Sequence, residues 1–343
     1  MLAIALALMS VAVACSSTSK TKVQGAAASK PADMTYLTEY LPDGLHVPLV
    51  YAQDEGLYKK EGINLHISYG VGSPVTAASV GGGKVDFGDV DGGVAATSIA
   101  SGNPIVVVGM FTDTTEFGFF VPKNSSFNRI ADIAGQNVIL TPGAEQTLLP
   151  GVLKSAGLSM SSIRTQVIQG PAAVTAYEQG QADVLDYAIA DEEAAVQAKR
   201  PSRIIPYTAN GFIVPGFAFV VRRSLIDSDP DVVARFLRAT YNGITEAYAH
   251  EDKAVADFAR ANPTIPASLI RDQFRGYKQF LCSDAMTKSH AKLGDPQDGE
   301  WKAGLNSLVQ YAELNPATDV TKVETGKFFQ APYSVSSSTC PLP

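Results

Sequence analysis

The chain has 343 residues, which is enough for two domains of ordinary size or for one large α/β unit. Hydrophobic residues make up 45% and charged residues 18%, which is a globular composition. The net charge is −7 and basic runs are missing from the sequence, so the charge argues against nucleic acid as a partner.

The first residues of the sequence have the pattern of an export signal. Residues 2–14 form an apolar run that is too short to span a bilayer comfortably, and Ala14-Cys15-Ser16 follows it. A small residue before a cysteine resembles a bacterial lipoprotein signal, so we expect residues 1–15 to be the signal through the lipidated Cys15. An ordinary secretory signal that is cleaved nearby is the alternative. Residues 16–32 are small and polar, which predicts a flexible tether.

Two cysteines are left once Cys15 is assigned to the lipid, namely Cys282 and Cys340. Outside the cytoplasm such a pair is more often a disulfide than two free thiols, so we predict a disulfide, with unpaired thiols as the alternative. In the chain-entropy model a disulfide that closes a loop of this length would stabilise the fold by roughly 4 kcal/mol. The spacing excludes a metal site of the CxxC type.

Short strands alternate with helices from residue 34 to residue 110, which predicts a parallel sheet with helices on its faces. The predicted elements are strands at 34–40, 64–69, 84–88 and 105–110, a helix at 47–58, a helix that starts at Ser73-Pro74 with Ser73 as N-cap, and a helix between Asp91 as cap and Gly102.

A second α/β series follows, and the chain becomes helical beyond residue 230. The predicted elements are strands at 137–140, 163–168, 183–188 and 216–221, helices at 145–157 and 172–180, and later helices at 229–250, 267–279 and 299–312.

The two series contain a weak internal repeat, because residues 72–89 and 170–186 both run Gly, Pro, apolar helix, Gly and then Asp. This predicts two lobes of similar build. We interpret the apolar stretches at 117–121 and 216–221 as the crossings between the lobes. The first lobe then comprises residues 34–118 and 219–343, and the second lobe is an insertion of residues 119–218.

The turn Gly70-Val71-Gly72-Ser73 is similar to a nucleotide-binding loop, but Val75 replaces the third glycine of G-x-G-x-x-G. The Lys-Ser/Thr pair of a P-loop is also missing. Backbone N–H groups at the start of the next helix could hold a polar or anionic group of a small ligand. A helix that is capped after a glycine turn is the alternative.

The order and spacing of motifs over residues 34–280 resemble the substrate-binding proteins of ABC importers for nitrate, sulfonates, taurine and thiamine-related pyrimidines. That family has a helix ending in A-x-x-x-G-x-[FY], then acidic-Gly-[LI] and a Gly/Ser turn. The matching residues are Ala52, Gly56, Tyr58, Glu61-Gly62-Ile63 and Gly70 to Ser73. The resemblance implies a two-lobed periplasmic-binding-protein-like α/β fold of type II, with two doubly wound sheets joined by a two-segment hinge that closes on a ligand.

One branch of the family is more similar than the others. Its pyrimidine-binding members, and the related fungal pyrimidine synthase, carry W-x-P-N-x-x-H after the first strand. The same spacing here gives Tyr40, Pro42, Asp43 and His46. An aromatic ring is kept where a planar heterocycle would stack, so the resemblance favours a pyrimidine-like nitrogen heterocycle as the ligand.

In doubly wound sheets a ligand lies beyond the carboxyl ends of the strands. Arg and Lys are missing from these predicted ends, so an uncharged or cationic heterocycle fits better than nitrate or a sulfonate. A helix cap or a surface charge is the alternative role for each acid. The candidate ligand-binding residues are Glu39, Tyr40, Asp43, His46, Ser73, Asp89, Asp91 and Asp113 in the first lobe, and Thr141, Glu145, Asp186, Tyr187 and Asp191 in the second.

We expect a binding protein rather than an enzyme, with neither a metal nor a cofactor. A Gly-x-Ser-x-Gly elbow is missing, and the four histidines show no metal spacing. The fungal synthase uses pyridoxal phosphate with a Schiff-base lysine and a Cys-rich motif, whereas here the helix bearing His46 has no lysine before Lys59.

The sequence therefore predicts a monomeric solute-binding lipoprotein of an ABC importer. We expect it to be exported and held by its lipid at the outer face of the bacterial cytoplasmic membrane, in the cell envelope or periplasm. There it would deliver its small ligand to a permease. The alternatives are a relative of the pyridoxal-phosphate-dependent pyrimidine synthase, or a binder of sulfonate, taurine or nitrate.

Overall fold

Two five-stranded mixed sheets organise the part of the chain that the computed structural model describes, which comprises residues 31–296, 300–312, 314, 315 and 326–343. The predicted signal, the predicted lipidation site at Cys15 and most of the predicted tether lie outside these residues. The strands are β1 (Ala32–Leu37), β2 (Ile63–Ser68), β3 (Phe87–Asp91), β4 (Ile105–Met110), β5 (Phe117–Pro122), β6 (Asn137–Leu140), β7 (Arg164–Val167), β8 (Val184–Ala188), β9 (Ser202–Pro206) and β10 (Phe217–Arg222).

Helices connect the strands and follow the last of them. None in the described part of the chain is both long and apolar enough to cross a membrane. The α-helices are α1 (Val47–Asp54), α2 (Leu57–Lys60), α3 (Ser73–Gly81), α4 (Gly92–Ala100), α5 (Ala144–Ser155), α6 (Pro171–Glu178), α7 (Ile189–Lys199), α8 (Arg223–Ser228), α9 (Pro230–Ala249), α10 (Glu251–Ala261), α11 (Ala267–Leu281), α12 (Asp284–Ser289) and α13 (Trp301–Tyr311).

The two sheets share one topology. The first has the order β2-β1-β3-β10-β4 and the second has the order β7-β6-β8-β5-β9. In each sheet one strand runs antiparallel to both of its neighbours, β10 in the first and β5 in the second. The predicted α/β architecture is therefore confirmed, but each sheet is mixed rather than parallel as predicted, because β10 and β5 enter from the other lobe and run in the opposite direction. We call each sheet with its connecting helices a lobe.

The antiparallel strands explain how the crossings reach the cleft. The chain passes from β4 to β5 through residues 111–116 and from β9 to β10 through residues 207–216. Phe117 lies opposite Ala188 at the carboxyl end of β8, and Phe217 lies opposite Asp91 at the carboxyl end of β3. Both crossings therefore lie at the edges where a ligand is expected. The predicted lobe boundaries at 118/119 and 218/219 fall inside β5 and β10, just beyond these crossings.

The internal repeat has a structural counterpart in the units α3–β3 and α6–β8. Each helix is preceded by a glycine with a positive φ, 135° at Gly72 and 54° at Gly170, which a side chain would disfavour. Pro74 and Pro171 lie in the first turns of the two helices, where a missing N–H costs nothing. The same local sequence thus builds the same unit in both lobes.

Two predictions about the first lobe are wrong. The strand predicted at 84–88 is β3 at Phe87–Asp91, because Asp86 instead accepts hydrogen bonds from the N–H and hydroxyl of Thr35 at 2.9 and 2.8 Å. Ser73 is not the N-cap of α3, because Gly72 precedes the helix and makes no side-chain bond. The Ser73 hydroxyl instead accepts the N–H of Asp91 at 3.0 Å.

The predicted caps Asp91 and Asp229 and the long helix that follows Asp229 are confirmed. Asp91 Oδ1 accepts the N–H of Val94 at 3.0 Å and caps α4, and Asp229 caps α9 in the same way. The helix α9 packs on the first sheet through Phe236, whose ring is stacked 4.1 Å from the ring of Phe87.

The C-terminal tail is tied to the body of the protein through Cys340. Cys282 follows α11 directly, and its sulfur is bonded to that of Cys340, with the two Cα atoms 5.7 Å apart. Cys340 is completely buried, and its N–H donates to the carbonyl oxygen of Ala291 at 3.0 Å. The tail is therefore part of the packed fold.

Candidate ligand-binding site

Two adjoining cavities lie where the carboxyl ends of the two sheets face each other. The inner cavity has a volume of ≈ 20 Å³, which is room for about one water molecule. The outer cavity has a volume of ≈ 420 Å³. Tyr40, Tyr187 and Asp191 line both, so the two form one cleft with a narrow deep end and a wider mouth.

The walls of the inner cavity come from both lobes and combine carboxylates with aromatic rings. Neither lysine nor arginine contributes to them in the described part of the chain. The lining residues are Glu39, Tyr40, Glu116, Phe117, Thr141, Gly143, Ala144, Glu145, Tyr187, Ala188, Asp191, Phe217 and Tyr277.

The outer cavity is more apolar and lies between α6, α7 and the chain around the start of α11. It also carries acids and no base among the described residues. Its lining residues are Tyr40, Leu41, Pro42, Asp43, Pro171, Tyr187, Asp191, Glu192, Thr264, Ile265, Pro266, Leu269 and Gln273.

Tyr40 joins the two lobes across the cleft. Its hydroxyl oxygen accepts the N–H of Gly170 at 3.1 Å, at the start of α6 in the second lobe. Burial and the nearby Glu145 raise the pKa of Tyr40 to about 12, so the hydroxyl stays protonated at neutral pH. The residue therefore offers a ring to the cleft and a hydrogen bond between the lobes.

The glycine turn before α3 positions the end of β1. The N–H of Gly72 donates to the carbonyl oxygen of Glu39 at 2.8 Å, and the N–H of Gly70 donates to that of Tyr40 at 3.1 Å. These N–H groups are engaged within the protein, so the hypothesis of an anion site at this turn is not supported. The turn instead fixes the backbone of two residues that line the inner cavity.

His46 is buried behind the cleft and lines neither cavity. Its Nε2 lies 3.4 Å from Asp89 Oδ2, and its Nδ1 lies 3.0 Å from Asp43 Oδ1 without hydrogen-bond alignment. Burial lowers the pKa of His46, but Asp43 and then Asp89 raise it further, to about 10. Asp89 also accepts the hydroxyl of Tyr36 at 2.6 Å. A charged imidazolium therefore holds Asp43, which lines the outer cavity.

Glu145 lies in the first turn of α5, is buried and lines the inner cavity. The hydroxyl of Thr141 donates to its Oε1. Burial raises the pKa of Glu145 to about 7, against the opposite effect of the Thr141 hydrogen bond. Near neutral pH this carboxyl group therefore titrates.

Glu39, Glu116 and Asp191 bring three more carboxyl groups to the inner cavity. For each, burial raises the pKa well above its ordinary value, and the repulsion among the acids adds to this effect. Tyr277 opposes the shift at Asp191 through a hydrogen bond. Glu116 Oε1 and Asp191 Oδ1 are buried and have no hydrogen-bond partner.

Five further residues predicted for the site line neither cavity. Ser73 and Asp91 are engaged at the starts of α3 and α4, and Asp89 lies behind with His46. Asp113 Oδ1 accepts the N–H of Glu300 at 2.8 Å, next to α13. Asp186 Oδ1 accepts the hydroxyl of Tyr207 at 2.6 Å. These acids support the cleft from behind rather than face it.

Sequence reasoning missed several residues that line the inner cavity. Glu116 and Phe117 lie at the first crossing, and Phe217 lies at the second, where an antiparallel strand begins at the carboxyl edge of its parallel neighbour. The acid before the apolar stretch at 117–121 was the available signal. Tyr277 lies on the apolar face of α11 with Phe274, which resembles a purely structural pattern.

Comparison with known proteins assigns the chain to a family. The family model described as "NMT1/THI5 like" matches residues 44–254. The chain is 22% identical over 264 residues to the 4-amino-5-hydroxymethyl-2-methylpyrimidine phosphate synthase of Schizosaccharomyces pombe, covering 73% of this chain and 76% of that protein. It is 23% identical over 253 residues to the riboflavin-binding protein RibY of Chloroflexus aurantiacus, covering 70% and 72%.

Among solved structures, the alkanesulfonate-binding protein SsuA of Xanthomonas axonopodis pv. citri, bound to MOPS, aligns with a TM-score of 0.59 and 17% identity. The alignment covers 72% of this chain and 85% of that one. At this identity the likeness shows the fold, and the predicted periplasmic-binding-protein fold is confirmed. Because the family model matches more than half of the chain, the protein belongs to the NMT1/THI5-like family.

Proposed function

We propose that this protein is a solute-binding lipoprotein of an ABC importer, which captures a small ligand between two lobes and delivers it to a permease. The observation that carries the proposal is the two-part cleft, whose walls come from both sheets at their carboxyl ends. A ligand held there would be buried by closure of the lobes. The family membership and the shared fold of known binding proteins support the same function.

We further propose that the ligand is a nitrogen heterocycle of pyrimidine size that carries an amino group. The outer cavity, ≈ 420 Å³, lies within the range of about 300–1,000 Å³ that is typical of small-molecule sites. The rings of Tyr40 and Tyr187 offer flat faces to a planar ligand. The acidic walls favour amino groups as hydrogen-bond donors and disfavour sulfonate, taurine or nitrate.

The proposed location is the cell envelope. The export signal would carry the protein across the cytoplasmic membrane, and lipid on Cys15 would keep it beside its permease. Several acyl chains bind a membrane stably, whereas one binds it marginally. We propose that the protein acts as a monomer.

A second candidate function is the pyrimidine synthase, because a relative with that name is 22% identical. In that reading the cleft would hold pyridoxal phosphate through a Schiff-base lysine. The described cavity walls contain no lysine, which favours the binding protein. An absorbance scan with pyridoxal phosphate separates the two, since a Schiff-base band is expected only for the enzyme.

Calorimetry with a small panel tests the proposed function. The panel is 4-amino-5-hydroxymethyl-2-methylpyrimidine, taurine, an alkanesulfonate and nitrate. We expect the pyrimidine to bind and the other three to give no heat. Tight binding of the sulfonate would refute the ligand class but leave a binding protein. A Schiff-base band with pyridoxal phosphate, without binding of any panel member, would refute the binding function.

A further inference from the structure

We propose that the inner cavity is a binding site for an organic cation, in which Glu39, Glu116 and Asp191 hold a protonated amine or an alkylammonium group of the ligand. The inference rests on the proposed solute-binding function and names the chemical class of its ligand. It implies that a positive charge is required for tight binding, beyond the amino group of a neutral heterocycle.

The first support is the way in which the acids converge. Glu39 follows β1 and Glu116 precedes β5, so these two come from the ends of strands in different lobes. Asp191 comes from the first turn of α7. Three carboxyl groups from three elements therefore meet at one cavity. A cation between them would also connect the two lobes.

The second support is an unsatisfied oxygen. Glu116, which lines the cavity, is 1% exposed, and its Oε1 has no hydrogen-bond partner. Asp191 is partly exposed, but its Oδ1 is buried and also lacks a partner. A buried carboxyl oxygen without a hydrogen-bond donor destabilises the fold. An ammonium group supplies both the N–H donors and the charge that these oxygens lack.

The third support is that the protein supplies little compensating charge. Lysine and arginine are missing from the described walls of both cavities. The imidazolium of His46 is the nearby cation, and it lies against Asp43 and Asp89 behind the cleft. Burial and repulsion from neighbouring carboxylates raise the pKa of the three carboxyl groups, and a bound ammonium group would lower it again and hold them ionised. A carboxylate, a sulfonate or a phosphate would be repelled.

The fourth support is the aromatic surround, which includes Phe117, Phe217 and Tyr277. The faces of aromatic rings attract cations, and the attraction is strongest where water is excluded. The carboxylates are not grouped for a metal ion either, since none of the described residues form a cluster of three or more His, Cys, Asp or Glu side chains that could hold one. The combination of rings and acids thus points to an organic cation.

The rest of such a ligand would lie in the outer cavity. Tyr40, Tyr187 and Asp191 line both cavities, so a group held at the inner end continues directly into the wider space. A flat ring between the two tyrosines, with a short arm that ends in an ammonium group, matches this shape. The heterocycle and the cationic group are then bound by different parts of one cleft.

Two matched pairs of probes test the inference in the full mature protein by calorimetry. The first pair is 4-amino-5-aminomethyl-2-methylpyrimidine and its hydroxymethyl analogue, which differ in one charged group. The second pair is ethanolamine, which is an ammonium ion at neutral pH, and its neutral isostere 1-propanol. We expect the aminomethyl probe to bind at least tenfold more tightly than the hydroxymethyl probe. Ethanolamine should likewise bind more tightly than 1-propanol.

Glu116→Gln keeps the shape of the side chain and removes the carboxylate that a bound cation would stabilise. We expect Glu116→Gln to lower the affinity for the aminomethyl probe at least tenfold and to change the affinity for the hydroxymethyl probe by no more than about twofold. The control is Glu246→Gln, which makes the same change at an exposed position of α9 and should alter neither. Circular dichroism of each variant checks that the fold is retained.

Three outcomes would overturn the cation site. These are equal binding of the two pyrimidines, an equal effect of Glu116→Gln on both, or no binding of either cationic probe. The first two leave the solute-binding function intact, since a neutral pyrimidine still binds. The proposed function itself fails only if pyridoxal phosphate forms a Schiff base and none of the probes binds.

Discussion

Tyr40 contributes two separable features to the cleft, a ring that lines both cavities and a hydroxyl that accepts the N–H of Gly170. We expect Tyr40→Ala to weaken the aminomethyl probe at least tenfold, since stacking is worth on the order of 1 kcal/mol beyond the buried area and about 1.4 kcal/mol is tenfold. Tyr40→Trp keeps the ring, so it should preserve binding. Calorimetry measures the three affinities.

Tyr40→Phe is the control for the hydroxyl, because it keeps the ring and removes only the bond to Gly170. Its loss should be smaller than that of Tyr40→Ala. Unchanged affinity in Tyr40→Ala would contradict the role assigned to the ring.

Glu145 makes the stability of the protein depend on pH. Its pKa is raised to about 7 in the fold by burial, whereas an unfolded Glu titrates near 4.3. Between these values the folded state holds a proton that the unfolded state has lost, so the free energy of unfolding falls as pH rises through this window. The full effect is at most about 4 kcal/mol.

Glu145→Gln removes this titration, so the variant should lose less stability than the wild type between pH 5 and pH 8. Urea denaturation at several pH values measures both slopes. The carboxyl groups of Asp91 and Asp186 and the hydroxyls of Thr141 and Tyr40 also act near Glu145, and they are present in both proteins. Equal slopes in the two proteins would show that Glu145 is ionised at pH 5 and is not the titrating group.

Among individual residues, the sequence identified acids at strand ends but did not show which of them face the cleft. Glu39 and Glu145 line the inner cavity, whereas Asp89 and Asp113 were equally plausible and point into internal hydrogen bonds. Residue type and strand position do not distinguish the two cases, because both place a carboxylate at a sheet edge. Glu116 was missed because the direction of β5 cannot be read from its own residues.

Among the elements, the start of α3 touches the opposite lobe. A Cβ at Gly72 would lie 2.8 Å from the carbonyl oxygen of Pro142, and its φ of 135° disfavours any side chain. Opening of the lobes would relieve the contact but not the strain. We therefore expect Gly72→Ala to weaken the aminomethyl probe severalfold, as measured by calorimetry.

Gly102→Ala is the matched control for the strain. Its φ is 93°, and a Cβ there would meet nothing within 4 Å. Gly102→Ala should lower the free energy of unfolding about as much as Gly72→Ala, but it should not change the affinity for the aminomethyl probe. An equal loss of affinity in both variants would show that strain rather than contact between the lobes is responsible.

The disulfide between Cys282 and Cys340 fixes the C-terminal tail against the end of α11. Thiol labelling of the denatured, unreduced mature protein should find neither cysteine. The double variant Cys282→Ser/Cys340→Ser should unfold at a lower denaturant concentration, because its free energy of unfolding should be lower by roughly 2–4 kcal/mol. Labelling of both thiols in the unreduced protein would refute the bond in solution.

Elements with a strong local pattern were predictable, and elements defined by their partners were not. The period of 3.6 residues and the Asp229 cap predicted α9 almost to its ends. The strand β9 was missed because its five residues carry no alternation and pair only with β5. The helix α7 was missed because it follows β8 without a turn residue.

For the whole molecule, the repeat in the sequence led to two lobes and the motif order led to the family. The apolar stretches predicted as crossings, 117–121 and 216–221, lie in the strands β5 and β10, and each follows the segment that links the two sheets. Contacts between segments that are distant in the sequence could not be predicted. Gln273 of α11, for example, accepts the N–H of Gly44 at 3.1 Å and donates to the carbonyl oxygen of Asp191 at 3.2 Å.

Such contacts across the cleft describe a closed arrangement. Gly276 of α11 lies so near α7 that a Cβ would be 3.0 Å from the carbonyl oxygen of Ala190. The inner cavity is correspondingly small, at ≈ 20 Å³. A ligand must therefore enter while the lobes are apart, and its charge would favour their return.

Small-angle X-ray scattering of the mature protein, with and without a saturating concentration of the aminomethyl probe, tests the central claim most directly. A protein that closes two lobes on a bound solute should show a smaller radius of gyration with the probe, while its far-ultraviolet circular dichroism stays the same. The hydroxymethyl probe at equal concentration is the control and should compact the protein less. A radius of gyration that does not change on saturation with the aminomethyl probe would contradict capture by closure.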